Sequence, residues 1–135
     1  MPASPSFTLG REERIASRKL LDKLFGGGHS RSMVAFPLRL VYMETGRECG
    51  GPPSRMLVSV PKRCFKRAVK RNRARRQVRE AYRRHKHLLW DALERQGKGM
   101  ALAFIWLDDN LHGSAEVEAR VKNLLRRVAE KSESL

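Results

Sequence analysis

The sequence lacks what a membrane or a metal would need. Its longest uninterrupted apolar run, Met100–Leu107, is eight residues, against the roughly 20 of a helix that spans a bilayer. The N-terminal stretch "MPASPSFTLGREER" has no apolar signal segment and becomes charged early, so a cytoplasmic location is expected. Cysteine occurs twice, as Cys49 and Cys64. The two stand without the paired spacing of metal ligands and read as free thiols of a reducing compartment, so no metal site is expected. No P-loop, zinc-protease motif or Gly-rich dinucleotide fingerprint is present. Acids are scarce: 14 Asp and Glu stand against 29 Lys and Arg, a formal net charge of +15. Such an imbalance says little about fold but much about partners: the molecule will seek polyanions, nucleic acid before anionic membrane.

At 135 residues the chain fits one domain with a real core, but not two. Residues 1–6 are rich in Pro and Ser and are expected to be a disordered tail, residues 7–130 a single domain, and residues 131–135 a C-terminal tail. Ser17 suits the N-cap of a short helix, "RKLLDKLF", whose Leu20, Leu21, Leu24 and Phe25 recur at helical spacing and which Gly26–Gly28 end. "MVAFPLRLVYME" (Met33–Glu44) reads as one strand, its later part alternating, with Pro37 near its start or at an edge. "TGRECGGPPSR" reads as a hairpin loop, and "MLVSV" (Met56–Val60) as a buried strand that Pro61 terminates.

A basic helix is expected from about Ala68 to His87, with Ala74, Val78, Ala81, Tyr82, His85 and Leu89 as its apolar stripe. A further turn or two follows before Gly97 and Gly99. "MALAFIWL" has no alternation, as befits an interior strand covered on both faces. "DDNLHG" is a loop, and a last helix begins at Ser114 with Val117, Val121, Leu124 and Val128 as its seam. Helix, strands, helix, strand, helix make an α+β fold, one sheet packed with helices.

The charge is concentrated. Lys62–His87 holds thirteen Lys and Arg and one Glu, a net +12 in 26 residues. At 100° per residue Asn72, Arg76, Arg79 and Arg83 fall within about 60° of one another, opposite the apolar stripe. Arg75 and Lys86 flank this row on one side, Arg73 and Arg84 on the other. Like charges at i,i+4 cost a few tenths of a kcal/mol per pair, which an apolar face packed on a core can offset. Arg also outnumbers Lys here, and its planar fork suits phosphate and can stack on bases. Phe25, Phe36, Phe65 and Tyr82 lie close to the basic segments, and aromatics beside Arg suit the unstacked bases of single-stranded RNA. Taken singly, Phe36 and Tyr82 read as core residues rather than platforms, while Phe25 and Phe65 fit either role.

"VSVPKRCFKRAVKRNRARRQVREAYR" (Val58–Arg83) resembles the signature of the bacterial ribonuclease P protein component, with "RNR" at Arg71, Asn72 and Arg73. "FTLGREERIASRKLLDKLF" and "FPLRLVY" fit upstream, and a strand followed by a helix fits downstream, so the likeness covers about Phe7 to Val128. The resemblance implies a single-domain α/β sandwich with a sheet of about four strands and a left-handed βαβ crossover, a fold type also known from a domain of a small-subunit ribosomal protein. It implies a protein subunit, a monomer in the complex, that binds a catalytic RNA and the 5′ leader of precursor tRNA and promotes Mg²⁺-dependent removal of that leader. The RNA carries the chemistry and holds most of the Mg²⁺.

By the same resemblance, RNA binding falls on Lys62, Arg63, Lys66, Arg71, Asn72, Arg73, Arg76, Arg79 and Arg83. The leader cleft falls on Phe25, Arg39, Lys62 and Lys66. At Leu21 the chain carries an aliphatic side chain where many members carry an aromatic. No catalytic residue is assigned to the protein: His85 falls on the apolar stripe, and Asp108 and Asp109, which could in principle hold Mg²⁺, sit in a turn. The alternative from the residues alone is a ribosomal-type RNA-binding protein with no role in cleavage.

Overall fold

The computed structural model describes residues 18–26, 30–46 and 51–133. The expected N-terminal tail, the Ser17 cap and Cys49 lie outside these residues.

The elements run α1 (Arg18–Gly26), β1 (Arg31–Ala35), β2 (Leu38–Thr45), β3 (Ser54–Ser59), α2 (Ala68–His85), α3 (His87–Gln96), β4 (Gly99–Trp106) and α4 (Ser114–Glu133). The segment expected as one strand is two. Phe36 and Pro37 form a tight turn between β1 and β2, with a cis peptide bond between them. Pro37 has no N–H to give to a ladder, so the chain reverses there instead of continuing. The turn is fastened to the end of β4 by the Leu107 amide, which donates to the Pro37 carbonyl at 2.8 Å.

The sheet order is β1-β2-β4-β3, with β4 antiparallel to β2 and parallel to β3. The loop after β2 is therefore no hairpin, because β4 separates β2 from β3. Hydrophobicity explains the order: β4 is buried along nearly its whole length, and the most apolar strand takes the central place where both edges and both faces are covered.

Alternation splits the sheet's side chains between two cores. Leu38, Leu40 and Tyr42 of β2, with Met56, Val58, Leu102, Phe104 and Trp106, face α2, α3 and α4. Val41, Met43, Ala101 and Ala103 face the other way, against Leu24 and Leu20 of α1. In the helical layer α2 packs toward β3 and α4 toward β1 and β2, side by side. The final helix runs through Glu133, beyond residue 130, with Ser132 buried.

The basic helix is bent rather than ended at Lys86, and α3 is a ten-residue helix rather than a turn or two. Gly97 closes it in the left-handed conformation (φ 64°). The Gly97 and Lys98 amides donate to the Glu94 and Leu93 carbonyls, the paired bonds of a Schellman closure.

Candidate nucleic-acid interface

The end of the sheet where β3 and β4 finish gathers the cations. Val60–Arg67 crosses this end, anchored by Cys64 and Phe65, both buried. Phe65 leans on Trp106 with ring centroids 6.2 Å apart, so it is a core residue and no stacking platform. Between these anchors Lys62, Arg63, Lys66 and Arg67 are exposed. The loop then enters α2 without any side-chain cap on its first amides and with no acid in the first turn. A helix N-terminus carries partial positive charge, and here it meets Lys66, Arg67 and Lys70. Such a start is electrostatically unfavourable alone and well suited to an anion.

Along α2 the row expected from the wheel is present, with distinctions that the wheel misses. Arg76 is exposed on the outer face, as are Asn72 and Arg73. Asn72 Oδ1 accepts from Arg75 Nη1 at 2.8 Å, which brings Arg75 into the row. Arg79 is half-buried on the same side. Arg83 is paired with Glu80, which Arg84 also approaches at 3.4 Å. The Arg83 hydrogen bond holds the Glu80 carboxyl below its usual value despite some desolvation.

Arg71 departs from its expected place. Its Nη1 turns back onto the loop, donating to the Phe65 and Lys66 carbonyls at 2.7 and 2.9 Å. It shapes the start of the helix, whereas the resemblance names it for RNA binding. Lys86 departs further: it is 1 % exposed, with Nζ 4.5 Å above the Trp90 ring. The wheel gives direction but not depth, and Trp90 of α3 folds over that direction.

The second surface is the sheet face toward α1. Leu24 is fully buried there, while its neighbour Phe25 is 52 % exposed. The α1 helix covers the rows built on Val41 and Met43. The next row, Val34–Arg39–Ile105–Ser59 in register across all four strands, lies beyond them. Val34 and Arg39 are exposed, Ile105 and Ser59 half-buried. Arg39 Nη2 approaches Ser32 Oγ at 3.4 Å. Ser59 leads within three residues to Lys62, so the row joins the cationic loop. The resemblance names Arg39, Lys62, Lys66 and Phe25 for this side of the molecule and does not name Val34, Ile105 and Ser59, which stand in the same row as Arg39. The alternation of β2 could have placed Arg39 beside Val41, but the partners across the sheet depend on strand order.

The candidate catalytic groups are otherwise engaged. His85 Nε2 lies 2.8 Å from Glu118 Oε1, joining α2 to α4, and this bond leads the causes that lower the Glu118 carboxyl. Asp108 Oδ2 meets His112 Nε2 at 2.7 Å, while Glu116 Oε2 meets His112 Nδ1 at 2.6 Å. Burial opposes the charged imidazolium, but these two carboxylates outweigh it and raise His112 above its usual value. Asp109 accepts from the Asn110 amide at 3.1 Å. Among the described residues no group of three or more His, Cys, Asp or Glu could hold a metal ion, and no helix is long and apolar enough to cross a membrane.

An uncapped cationic helix start, an arginine face and an adjoining open sheet row suit an extended polyanion. Residues 9–129 match the family model described as Ribonuclease P. The chain belongs to the ribonuclease P protein family. Two ribonuclease P protein components from strains of Porphyromonas gingivalis are 43% and 42% identical over 129 residues, spanning 96% of this chain and 92% of theirs. The fold is also that of solved ribonuclease P proteins. The one from Thermotoga maritima aligns with a TM-score of 0.63 at 23% identity, over 85% of this chain and 96% of its own. The one from Staphylococcus aureus aligns with a TM-score of 0.61 at 16% identity, over 86% and 94%. As a family member the chain is the protein subunit of a ribonuclease P holoenzyme, and its partner is the ribonuclease P RNA.

Proposed function

We propose that the two surfaces divide the work of the holoenzyme. The outer face of α2, with Asn72, Arg73, Arg75, Arg76 and Arg79 and the cationic approach through Lys62, Arg63 and Lys66, lies on the catalytic RNA. The sheet row and α1, with Arg39 and Phe25, receive the 5′ leader of precursor tRNA, and Lys62 and Lys66 stand where the two surfaces meet. The protein acts as a monomer in this complex. Mg²⁺ for phosphodiester hydrolysis is held by the RNA; Asp108 is committed to His112, which does not suit a protein-held ion. The protein supplies cationic contacts and orientation rather than the reacting groups.

The observation that carries this reading is the adjacency of two chemically different surfaces. One is an arginine face fit for a folded RNA backbone. The other is a partly apolar open row of the sheet, beside a helix that exposes an aromatic ring, fit for a single strand. The test is reconstitution with ribonuclease P RNA at low Mg²⁺. Leader release from precursor tRNA should be stimulated by the protein, and leader-bearing RNA should bind the holoenzyme more tightly than mature tRNA. A ribosomal-type binder would associate with RNA and stimulate nothing.

A further inference from the structure

Phe36 is 55 % exposed at the tip of the β1–β2 turn, yet it is held on several sides. Its ring meets the His112 ring edge-on, centroids 5.9 Å apart. Its carbonyl accepts from Arg120 Nε at 3.1 Å, and the next carbonyl, of Pro37, accepts from the Leu107 amide at 2.8 Å. His112 in turn is fixed between Asp108 and Glu116 and stacks edge-on against the buried Trp106, centroids 5.6 Å apart. Core demands do not account for this arrangement: the supports orient an apolar ring that still faces water.

The surroundings carry charges of both signs, with arginines bonded to the turn and to the edge strand that leads into it. Arg120 also lies 4.0 Å from Glu116. Arg127 Nη1 donates to the Val34 carbonyl at 3.0 Å along the outer edge of β1. A neutral carbonyl engages the guanidinium without cancelling its charge, and Arg39 adds another cation three residues beyond the ring. The carboxylates of Asp108 and Glu116 meet His112 and Arg120; Asp109, exposed next to Asp108, adds one negative charge to the same loop. Val34, 51 % exposed, pairs with Arg39 in the sheet. The open row thus runs from Ser59 through Ile105 and Arg39 to Val34 and arrives at this tip. Phe36 lies within about 10 Å of Arg39, three residues at about 3.3 Å each.

We infer that the β1–β2 tip is a distal subsite for single-stranded RNA, in which Phe36 stacks on a leader base beyond those lying in the cleft and Arg39 and Arg127 flank the backbone. This rests on the leader-binding role proposed for the sheet face. The occupant is single-stranded because its bases must be unstacked to meet one exposed ring.

The test uses the reconstituted holoenzyme and precursor tRNAs with leaders of about four and about twelve nucleotides, a span within the range that one single-strand-binding module covers. Phe36→Ala should weaken binding of the long-leader substrate about tenfold and leave the short-leader substrate and holoenzyme assembly unchanged. Phe36→Tyr should restore the long-leader affinity. Equal loss on both substrates, or none on the long one, overturns the subsite while the cleft stands. If the unsubstituted holoenzyme itself binds leaderless and leader-bearing RNA alike, the cleft assignment falls and the subsite with it.

Discussion

Arg76 and Arg83 occupy one row of α2 in different electrostatic states. Arg83 is tied to Glu80, so part of its charge is spent within the helix, whereas Arg76 is exposed on the outer face. Arg76→Ala should therefore weaken holoenzyme assembly and reduce the slope of log affinity against log salt by about one, with Arg83→Ala reducing it less. Phe25→Ala should instead weaken leader-bearing over mature tRNA and spare assembly; equal losses from Arg76→Ala and Phe25→Ala on both substrates would defeat the division into two surfaces. His112 makes a separate case. Its pKa is raised in the folded state, so its contribution to stability is fully present below its unfolded value of ~6.5 and is lost as pH rises through the folded value. Asp108 is lowered, chiefly by the His112 hydrogen bond; its contribution holds above its unfolded value of ~3.9 and is lost as pH falls through the folded value. The loop should be held most firmly between those limits. In an NMR titration His112 should lose its proton at higher pH than in an Asp108→Asn variant, and identical titrations would contradict the pairing.

Among the elements, β3, α2 and α3 meet at one buried hydroxyl. Ser54 Oγ hydrogen-bonds the Tyr82 hydroxyl and accepts from Trp90 Nε1 at 2.7 Å. Ser54→Ala removes a partner from two buried groups and should cost about 1–3 kcal/mol, read as a lowered urea midpoint with unchanged slope; an unchanged midpoint would mean the hydroxyl is dispensable. Nothing in the local sequence marks Ser54, and the same holds for most of what the sequence left unread. Helix positions were legible because Ala74, Val78, Ala81 and Tyr82 repeat at 3.6 residues and Gly97 stops α3. The central strand was legible because Met100–Trp106 is apolar without alternation. Strand order was not, since the pattern of β2 and β3 is the same whichever neighbour each takes, and this misplaced the loop between them as a hairpin. Proximity to basic residues did not separate Phe65, which is buried, from Phe36, which is exposed, because their surroundings are set by Trp106 and the 107–113 loop, both remote in sequence. The row of Asn72, Arg76, Arg79 and Arg83 was read correctly in direction, while Lys86 on its flank is buried against an indole and Arg71, named by the resemblance alone, turns back onto a pair of loop carbonyls.

For the molecule as a whole, the charge is not evenly spread. A net +12 lies in Lys62–His87 out of a formal +15 for the chain, and the larger part of it sits on α2, on the β3 side of the helical layer, while α4 takes the β1 side. The folded state thus holds a dense cationic strip in place through its apolar underside of Ala74, Val78, Ala81 and Tyr82. Salt must then act with opposite signs on two measurements. Screening weakens repulsion within the strip, where the Debye length is about 10 Å at 0.1 M, so the free protein should melt at a higher temperature as salt rises. The same screening removes the gain from counterion release on the RNA. If roughly six to ten phosphates are contacted, affinity should fall by about three to five decades between 50 and 200 mM, somewhat less for a single strand. Neutralising the strip through Arg73→Gln and Arg76→Gln should flatten both responses together, because one set of charges causes both. A melting temperature that fell with salt, or a variant that flattened the binding curve and left the melting curve untouched, would show that the repulsion and the RNA contact reside in different parts of the surface.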